Sequence, residues 1–206
     1  MARHIDKVVL ASASPRRLQL LRSLGLHVRV VPSAYGEPDR PELSPQQLAI
    51  EHARRKCGDV AAREAGLVVA ADTVVDVDGV AYNKPADRAD AARMLRDLSG
   101  RAHLVHTAFA VAFDGRECAE HCESTRVTFY RLDEDEIDAY VASGEPMDKA
   151  GAYGIQGYGA TLVERVDGDF YTVMGFPLAV FVRTLRRLGF ALPITKADAA
   201  SHKTTG

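Results

Sequence analysis

No apolar run in this 206-residue chain approaches the ~20 residues that a membrane-spanning helix needs, which argues against a membrane-embedded protein. Charge excess is also missing: 26 Lys and Arg stand against 28 Asp and Glu, a formal net charge of -2. Without a basic field, tight non-specific nucleic-acid binding is not expected, and any anion must be held by a local cluster. Cysteine is scarce. The three residues Cys57, Cys118 and Cys122 are an odd number with no disulfide pattern. The opening MARHIDKVVL has no secretory h-region, and both features point to a reducing cytoplasm. Internal repeats, linkers, a Walker lysine motif and a nucleophile elbow are likewise missing. The 47% apolar and 26% charged shares are ordinary for a soluble, folded protein. A chain of this length buries roughly 70% of its unfolded surface, enough for one domain with two lobes around a cleft.

What is present is a clear order of elements. Val8 to Ala11 reads as a buried strand, and Pro15 to Leu24 as a helix with Leu18, Leu21 and Leu24 on one face. Val28 to Val31 is a second strand. A loop rich in Pro and acid then leads to a helix from about Pro45 to Glu64, capped by Ser44. LVVAAD reads as a central parallel strand whose C-terminal end places Asp72 at a cleft. TVVDVDGVAYNKP alternates around Asp78-Gly79 as a hairpin, and a helix follows over Asp87 to Leu98. AHLVHTAFAVAF and ESTRVTFYRL are two long strands joined near Asp114-Gly115. Asp133 and Glu136 make a capping box for a helix that stops at Gly144.

Four glycines between Gly151 and Gly159 mark a loop with unusual backbone freedom. ATLVERVDGDFYTVMG reads as a last hairpin turning at Asp167-Gly168, and Pro177 opens a helix through Leu188. Residues 194–206 are expected to fray. Early strand–helix alternation followed by hairpins predicts a single α/β domain over residues 1–206. Its sheet is mixed and twisted, flanked by helices, with a central cleft at the strand ends.

SASPRR places Ser12, Ser14, Arg16 and Arg17 at a helix start, where free N–H groups and the dipole favour an anion. Taken alone, it reads more readily as a capped helix with two solvated arginines. Asp72, with Thr73 beside it, suits a divalent cation or a water proton, and equally a turn-initiating Asp. Glu37, Lys56 and Lys84 read individually as surface charges. CAEHC, from Cys118 to Cys122, lacks the second ligand cluster that structural zinc needs. His103 and His106 would face opposite sides of a strand. The basic ARRK stretch allows a nucleic-acid reading, which salt-sensitive binding would test.

Taken together, LASASPRR, AADTVV, NKP, LSG before a long strand, and DKAGAYGIQG resemble the Maf family of nucleoside triphosphate pyrophosphatases, in order from about Val8 to Leu188. The resemblance implies a fold like that of the inosine triphosphate pyrophosphatases and cleavage of a nucleoside triphosphate to monophosphate and pyrophosphate, with Mg²⁺ or Mn²⁺. It implies Asp72 as general base or metal ligand and Glu37 as a second metal ligand. Arg17, Lys56 and Lys84 become cations around the triphosphate, and Ser12 and Ser14 phosphate donors. The sequence looks like the dTTP and UTP branch, with Arg16, Thr73 and Gln156 linked to base selection. A Gln amide offers the donor and acceptor that suit a uracil or thymine edge. The family often has two adjacent acids where this chain has Gly36-Glu37, so Asp39 or Glu42 is the substitute available. A homodimer is also implied. The family's association with septum formation leaves a second reading, a nucleotide sensor that binds without turnover.

Overall fold

The computed structural model describes residues 2–193, so the tail expected to fray lies outside the described residues. β1 (Arg3–His4) and β2 (Lys7–Leu10) lead into α1 (Pro15–Ser23). Ser14 starts α1: its backbone is extended, its hydroxyl accepts from the Arg17 backbone N–H, and Pro15 occupies a position whose N–H has no helical partner. β3 (His27–Val30) returns beside β2. α2 (Pro45–Ala61) begins at a complete capping box of Ser44 and Gln47 and stops short of Glu64.

β4 (Leu67–Val77) and β5 (Val80–Tyr82) form the expected hairpin, with Asp78 and Gly79 both at positive φ. α3 (Arg88–Leu98), β6 (Ala102–Phe113) and β7 (Arg116–Phe129) follow, and β7 extends back through CAEHC. α4 (Glu134–Ala142) carries the Asp133 and Glu136 capping box. Short 3-10 turns lead to β8 (Val163–Asp167), α5 (Phe170–Met174), α6 (Leu178–Arg187) and β9 (Phe190–Ala191). β9 pairs in parallel with β1, a two-stranded closure that hydrophobic periodicity does not reveal.

The main sheet runs β3-β2-β4-β6-β7-β8, with β5 also paired to β4. β2 is parallel to β3 and β4, and the other pairings are antiparallel, which makes the sheet mixed as expected. On one edge of β4, β2 pairs as far as Val69 and β5 begins at Val75. Ala70 to Val74 therefore have no strand neighbour on that side. Ala11 N–H donates to Val69 O at 2.8 Å, and the alternation of a strand then turns the N–H and C=O of Ala71 and Thr73 into the same gap.

Two expectations are corrected. Asp72 does not end a strand: β4 continues to Val77, because Thr73, Val74 and Val75 are β-branched residues that carry it into the hairpin while β6 pairs with it from Leu67 to Asp76. The last hairpin is also not formed. After β8, Asp169 caps α5 by accepting from Thr172 N–H at 2.9 Å, and Thr125 Oγ1 both donates to Asp169 O and accepts from Asp169 N–H at 3.0 Å. These bonds turn the chain into a one-turn helix instead of a return strand.

Residues of odd number on β4 and β6 share one sheet face. There, Val69 and Phe109 join Leu21, Phe176 and Phe181 in one apolar cluster, while Val75 and Val105 join Leu95, Phe129 and Ile137 in another. Between the two clusters the same rows carry Thr73 and Thr107, which are register partners. α2 covers the opposite face over Val68, Ala70, Val74, Ala108 and Ala110.

His103 and His106 face opposite sides, as expected. His106 bonds Ser124 at 2.7 Å and Asp76 at 3.1 Å. His103 is buried, with Nε2 2.7 Å from the Tyr153 hydroxyl and no partner for Nδ1 among the described residues. Burial, aided by the charge of Arg101, pulls its pKa from 6.5 down to about 4. Above pH 6.5 the imidazole is neutral both folded and unfolded. Below it the unfolded chain takes up a proton first, so stability falls until about pH 4. Between pH 7 and 5, wild type should lose about 2 kcal/mol more unfolding free energy than His103→Gln. Urea titrations at the two pH values check this; equal losses in both proteins would contradict it.

Candidate active site

All ten residues singled out from the sequence line one cavity of about 600 Å³, opening at the gap beside β4. They reach it from α1, the loop after β3, α2, β4, the segment after β5 and the glycine-rich loop before β8. Because neighbouring strand residues face opposite ways, Asp72 points to the α2 side and Thr73 to the α1 side.

On the α2 side, Lys56 joins two acids. Its Nζ lies 2.6 Å from Asp72 Oδ1 and 2.8 Å from Glu37 Oε1. Lys56 and Asp72 are both buried, while the Glu37 side chain is half exposed. Asp72 Oδ2 makes no hydrogen bond among the described residues and is left for the cleft. Burial works to raise the Glu37 pKa, but the charge and hydrogen bond of Lys56, with the nearby charges of Lys84 and His52, outweigh it and hold the carboxyl below its ordinary value. Glu37 is also one of four non-glycine residues at positive φ among the described residues, at 50°, a local strain that the Lys56 contact helps to hold. The neighbouring arginines of the ARRK stretch do not form a free basic face, since Arg54 and Arg55 both pair with Glu51.

On the α1 side, Ser12 Oγ accepts from Ser14 N–H and from Arg17 Nη1, each at 3.2 Å. Ser14 Oγ accepts from Arg17 N–H. Neither serine hydroxyl donates a hydrogen bond among the described residues, and both residues line the cavity. Arg17 Nε donates to Gly175 O at 2.9 Å and Nη2 to Thr73 Oγ1 at 3.0 Å. Burial lowers the pKa of this guanidinium from its ordinary value, opposed by the charges of Asp72 and Glu37. Arg16 takes a different direction, with Nη1 3.3 Å from Asp148 Oδ2. The two arginines thus serve separate contacts.

Lys84 is exposed at the rim, and the Gln156 side chain makes no hydrogen bond among the described residues. The glycines near Gln156 serve the protein's own packing. A Cβ on Gly151, at φ 66°, would lie 2.8 Å from Val75, and one on Gly159 would lie 2.4 Å from Gly154 O. Of the two acids offered as substitutes beside Glu37, Asp39 lines the cavity, while Glu42 pairs with Arg40 at 2.5 Å.

Sequence reading missed Tyr35 and His52, hydrogen-bonded at 3.2 Å on the cavity wall, along with Asp148, Lys149 and Tyr153. The last three belong to the DKAGAYGIQG string, so its length was the available signal. Among the described residues no three His, Cys, Asp or Glu converge as a metal group, and no helix is long and apolar enough to cross a membrane. Cys57, Cys118 and Cys122 are free, and burial pushes the Cys57 thiol up to about 12, an unreactive core group.

The mixed sheet and the cleft, in which cations and acids converge beside the open edge of a strand, define an α/β protein with a charged cavity. The chain belongs to the Maf-like protein family, whose family model matches residues 7–188. It is 46% identical over 183 residues to a dTTP/UTP pyrophosphatase of Thermococcus gammatolerans, covering 89% of this chain and 97% of the relative. It is 48% identical over 186 residues to a dTTP/UTP pyrophosphatase of Geobacter sulfurreducens, again covering 89% and 97%. Among solved structures, a HAM1 protein from Coxiella burnetii is a distant likeness, with a TM-score of 0.49 and 16% identity over 89% of this chain and 96% of that one.

The buried Lys56–Asp72 pair predicts a stability signature. Lys56→Met leaves the Asp72 charge buried without its cation and should cost about 3 kcal/mol at pH 7. Adding Asp72→Asn should recover at least half of that loss. Urea unfolding of the two variants checks the coupling, and equal losses would contradict it.

Proposed function

We propose that this chain is a metal-dependent hydrolase that cleaves dTTP and UTP to the nucleoside monophosphate and pyrophosphate. The observation that carries the reading is the convergence of Asp72, Glu37 and Lys56 with the Arg17 and serine cluster in one cleft. The high identity to two dTTP/UTP pyrophosphatases along nearly their full length supports the choice of substrate.

A divalent metal fits the residues present. Asp72 and Glu37 already direct one oxygen each at a single cation, the Lys56 ammonium, and hard carboxylate oxygens are the donors that Mg²⁺ and Mn²⁺ take together with substrate phosphates and water. Asp72 and Glu37 would hold the ion, which neutralises phosphate charge and acidifies a bound water. Everything else falls to the chain itself. Arg17 offers one unused N–H on each terminal nitrogen, a fork suited to phosphate oxygens. Ser12 and Ser14 donate their free protons to the same group. Lys56 and Lys84 stabilise charge on the departing pyrophosphate.

In the reaction, water adds to the α-phosphorus, the bond from that phosphorus to the bridging oxygen breaks, and the electron pair leaves with pyrophosphate. The water proton passes to Asp72, whose Oδ2 makes no hydrogen bond among the described residues while Oδ1 accepts from Lys56. Gln156, whose side chain makes no hydrogen bond among the described residues, reads the pyrimidine edge, and Arg16, kept off the serine cluster by Asp148, contributes to selection.

With Mg²⁺ or Mn²⁺, the purified protein should release pyrophosphate from dTTP and UTP faster than from purine triphosphates. Chelation should abolish turnover and added metal restore it. Asp72→Asn should lower kcat on the order of a thousandfold with an unchanged circular dichroism spectrum. A nucleotide panel scored for pyrophosphate decides between this reading and a sensor, which would bind the triphosphate and return it intact.

A further inference from the structure

Arg17 is oriented by a hydrogen-bond chain whose direction can be worked out atom by atom. Its Nη2 donates to Thr73 Oγ1 at 3.0 Å, and Thr73 Oγ1 lies 3.0 Å from Thr107 Oγ1. Between two hydroxyls either oxygen can donate, so the ends of the chain decide. A guanidinium only donates, which makes Thr73 an acceptor at that end. At the other end, Thr107 Oγ1 lies 2.7 Å from the Thr172 carbonyl, which only accepts. That bond uses the single Thr107 proton, so the Thr107 oxygen must accept from Thr73. The Thr73 proton therefore points inward, away from the cleft.

We infer that Thr107, fully buried behind the cavity, is a positioning residue for Arg17 acting through Thr73, and that Thr73 affects substrate handling through the guanidinium instead of by donating to a bound nucleotide. This rests on the cleft being the triphosphate site. The far end of the chain is fixed. Thr172 is itself fully buried, and its N–H and hydroxyl both donate to Asp169 Oδ2 at 2.9 Å, while Asp169 is tied to Thr125 of β7. Gly175, whose carbonyl takes Arg17 Nε, sits at φ 105°, and a Cβ there would lie 3.4 Å from Thr73 Oγ1. The C-terminal end of α5 thus supplies two carbonyls that bracket the guanidinium, one directly and one through two threonines.

The test uses Thr107→Val, Thr107→Ser, Thr73→Val and the Thr73→Val/Thr107→Val double variant. Valine keeps the shape of threonine and removes the relay, while serine keeps the relay and removes a methyl. On UTP, Thr107→Val should lower kcat/KM about tenfold, as misalignment of a charge-assisted bond implies, and Thr107→Ser should stay within about twofold of wild type. The double variant should be no worse than Thr73→Val, because either substitution already breaks the chain. Melting temperatures confirm that each variant is folded.

Wild-type kcat/KM in folded Thr107→Val, or losses that multiply in the double variant, would overturn the inference. If wild type itself releases no pyrophosphate, the functional reading fails, and calorimetry with inorganic tripolyphosphate judges the relay alone. Binding weakened by Thr107→Val and kept by Thr107→Ser supports it, and binding unchanged in both overturns it.

Discussion

β4 is hydrogen-bonded along one edge over almost its whole length and along the other only towards its ends. The placement of Asp72 and Thr73 in the cavity depends on that asymmetry. The full ladder with β6 makes the strand rigid, while the interruption between β2 and β5 leaves room beside its middle for a ligand. A strand that pointed Asp72 out of its last turn would give the carboxylate to a flexible loop. Here Asp72 and Thr73 are held between paired residues on either side and address opposite faces of one gap. The Asp72, Glu37 and Lys56 cluster is therefore separated by the sheet from the Arg17 and serine cluster, yet both reach the same cavity.

Charge is distributed to match. On one side the Lys56 ammonium keeps two carboxylates close together, an arrangement that would repel itself without a cation. On the other, Arg17 makes no ion pair with a carboxylate among the described residues and is held by neutral oxygens from Ser12, Thr73 and Gly175. Neutral acceptors fix a guanidinium without neutralising it. Its full charge remains available to an anion, whereas Arg16, paired with Asp148, is partly compensated.

Much of this could be read from the residues. Ser14 with Pro15, the Ser44 cap, Asp78-Gly79, and Asp133 with Glu136 are local signals whose physics is complete within a few residues, and each element appears where those residues place it. Four of the five motif strings, all but LSG, also line one cavity although they lie far apart in the chain. What could not be read was non-local. The extent of β4 beyond Asp72 depends on β6 pairing across from it, and the helix at Phe170 depends on Thr125 reaching Asp169 from another strand. Thr107 looked like one more polar residue in a strand, because its importance lies in two partners 34 and 65 positions away. The β1–β9 pair, two residues on each side, is too short for periodicity to show.

That small pair joins the third residue to the hundred-and-ninetieth, and the apolar cluster under α1 and α6 likewise draws on both ends of the chain. The cluster under α3 and α4 comes from a continuous middle stretch, Val75 to Val173 with its packed neighbours. On a ribosome the middle can gather its own core as it emerges, while Arg17 must wait for Gly175 and Thr172 to be synthesised before its grip exists. The cleft is completed late in the chain's synthesis, so an interrupted translation product that ends before Thr172 carries Asp72 and Lys56 without an oriented Arg17.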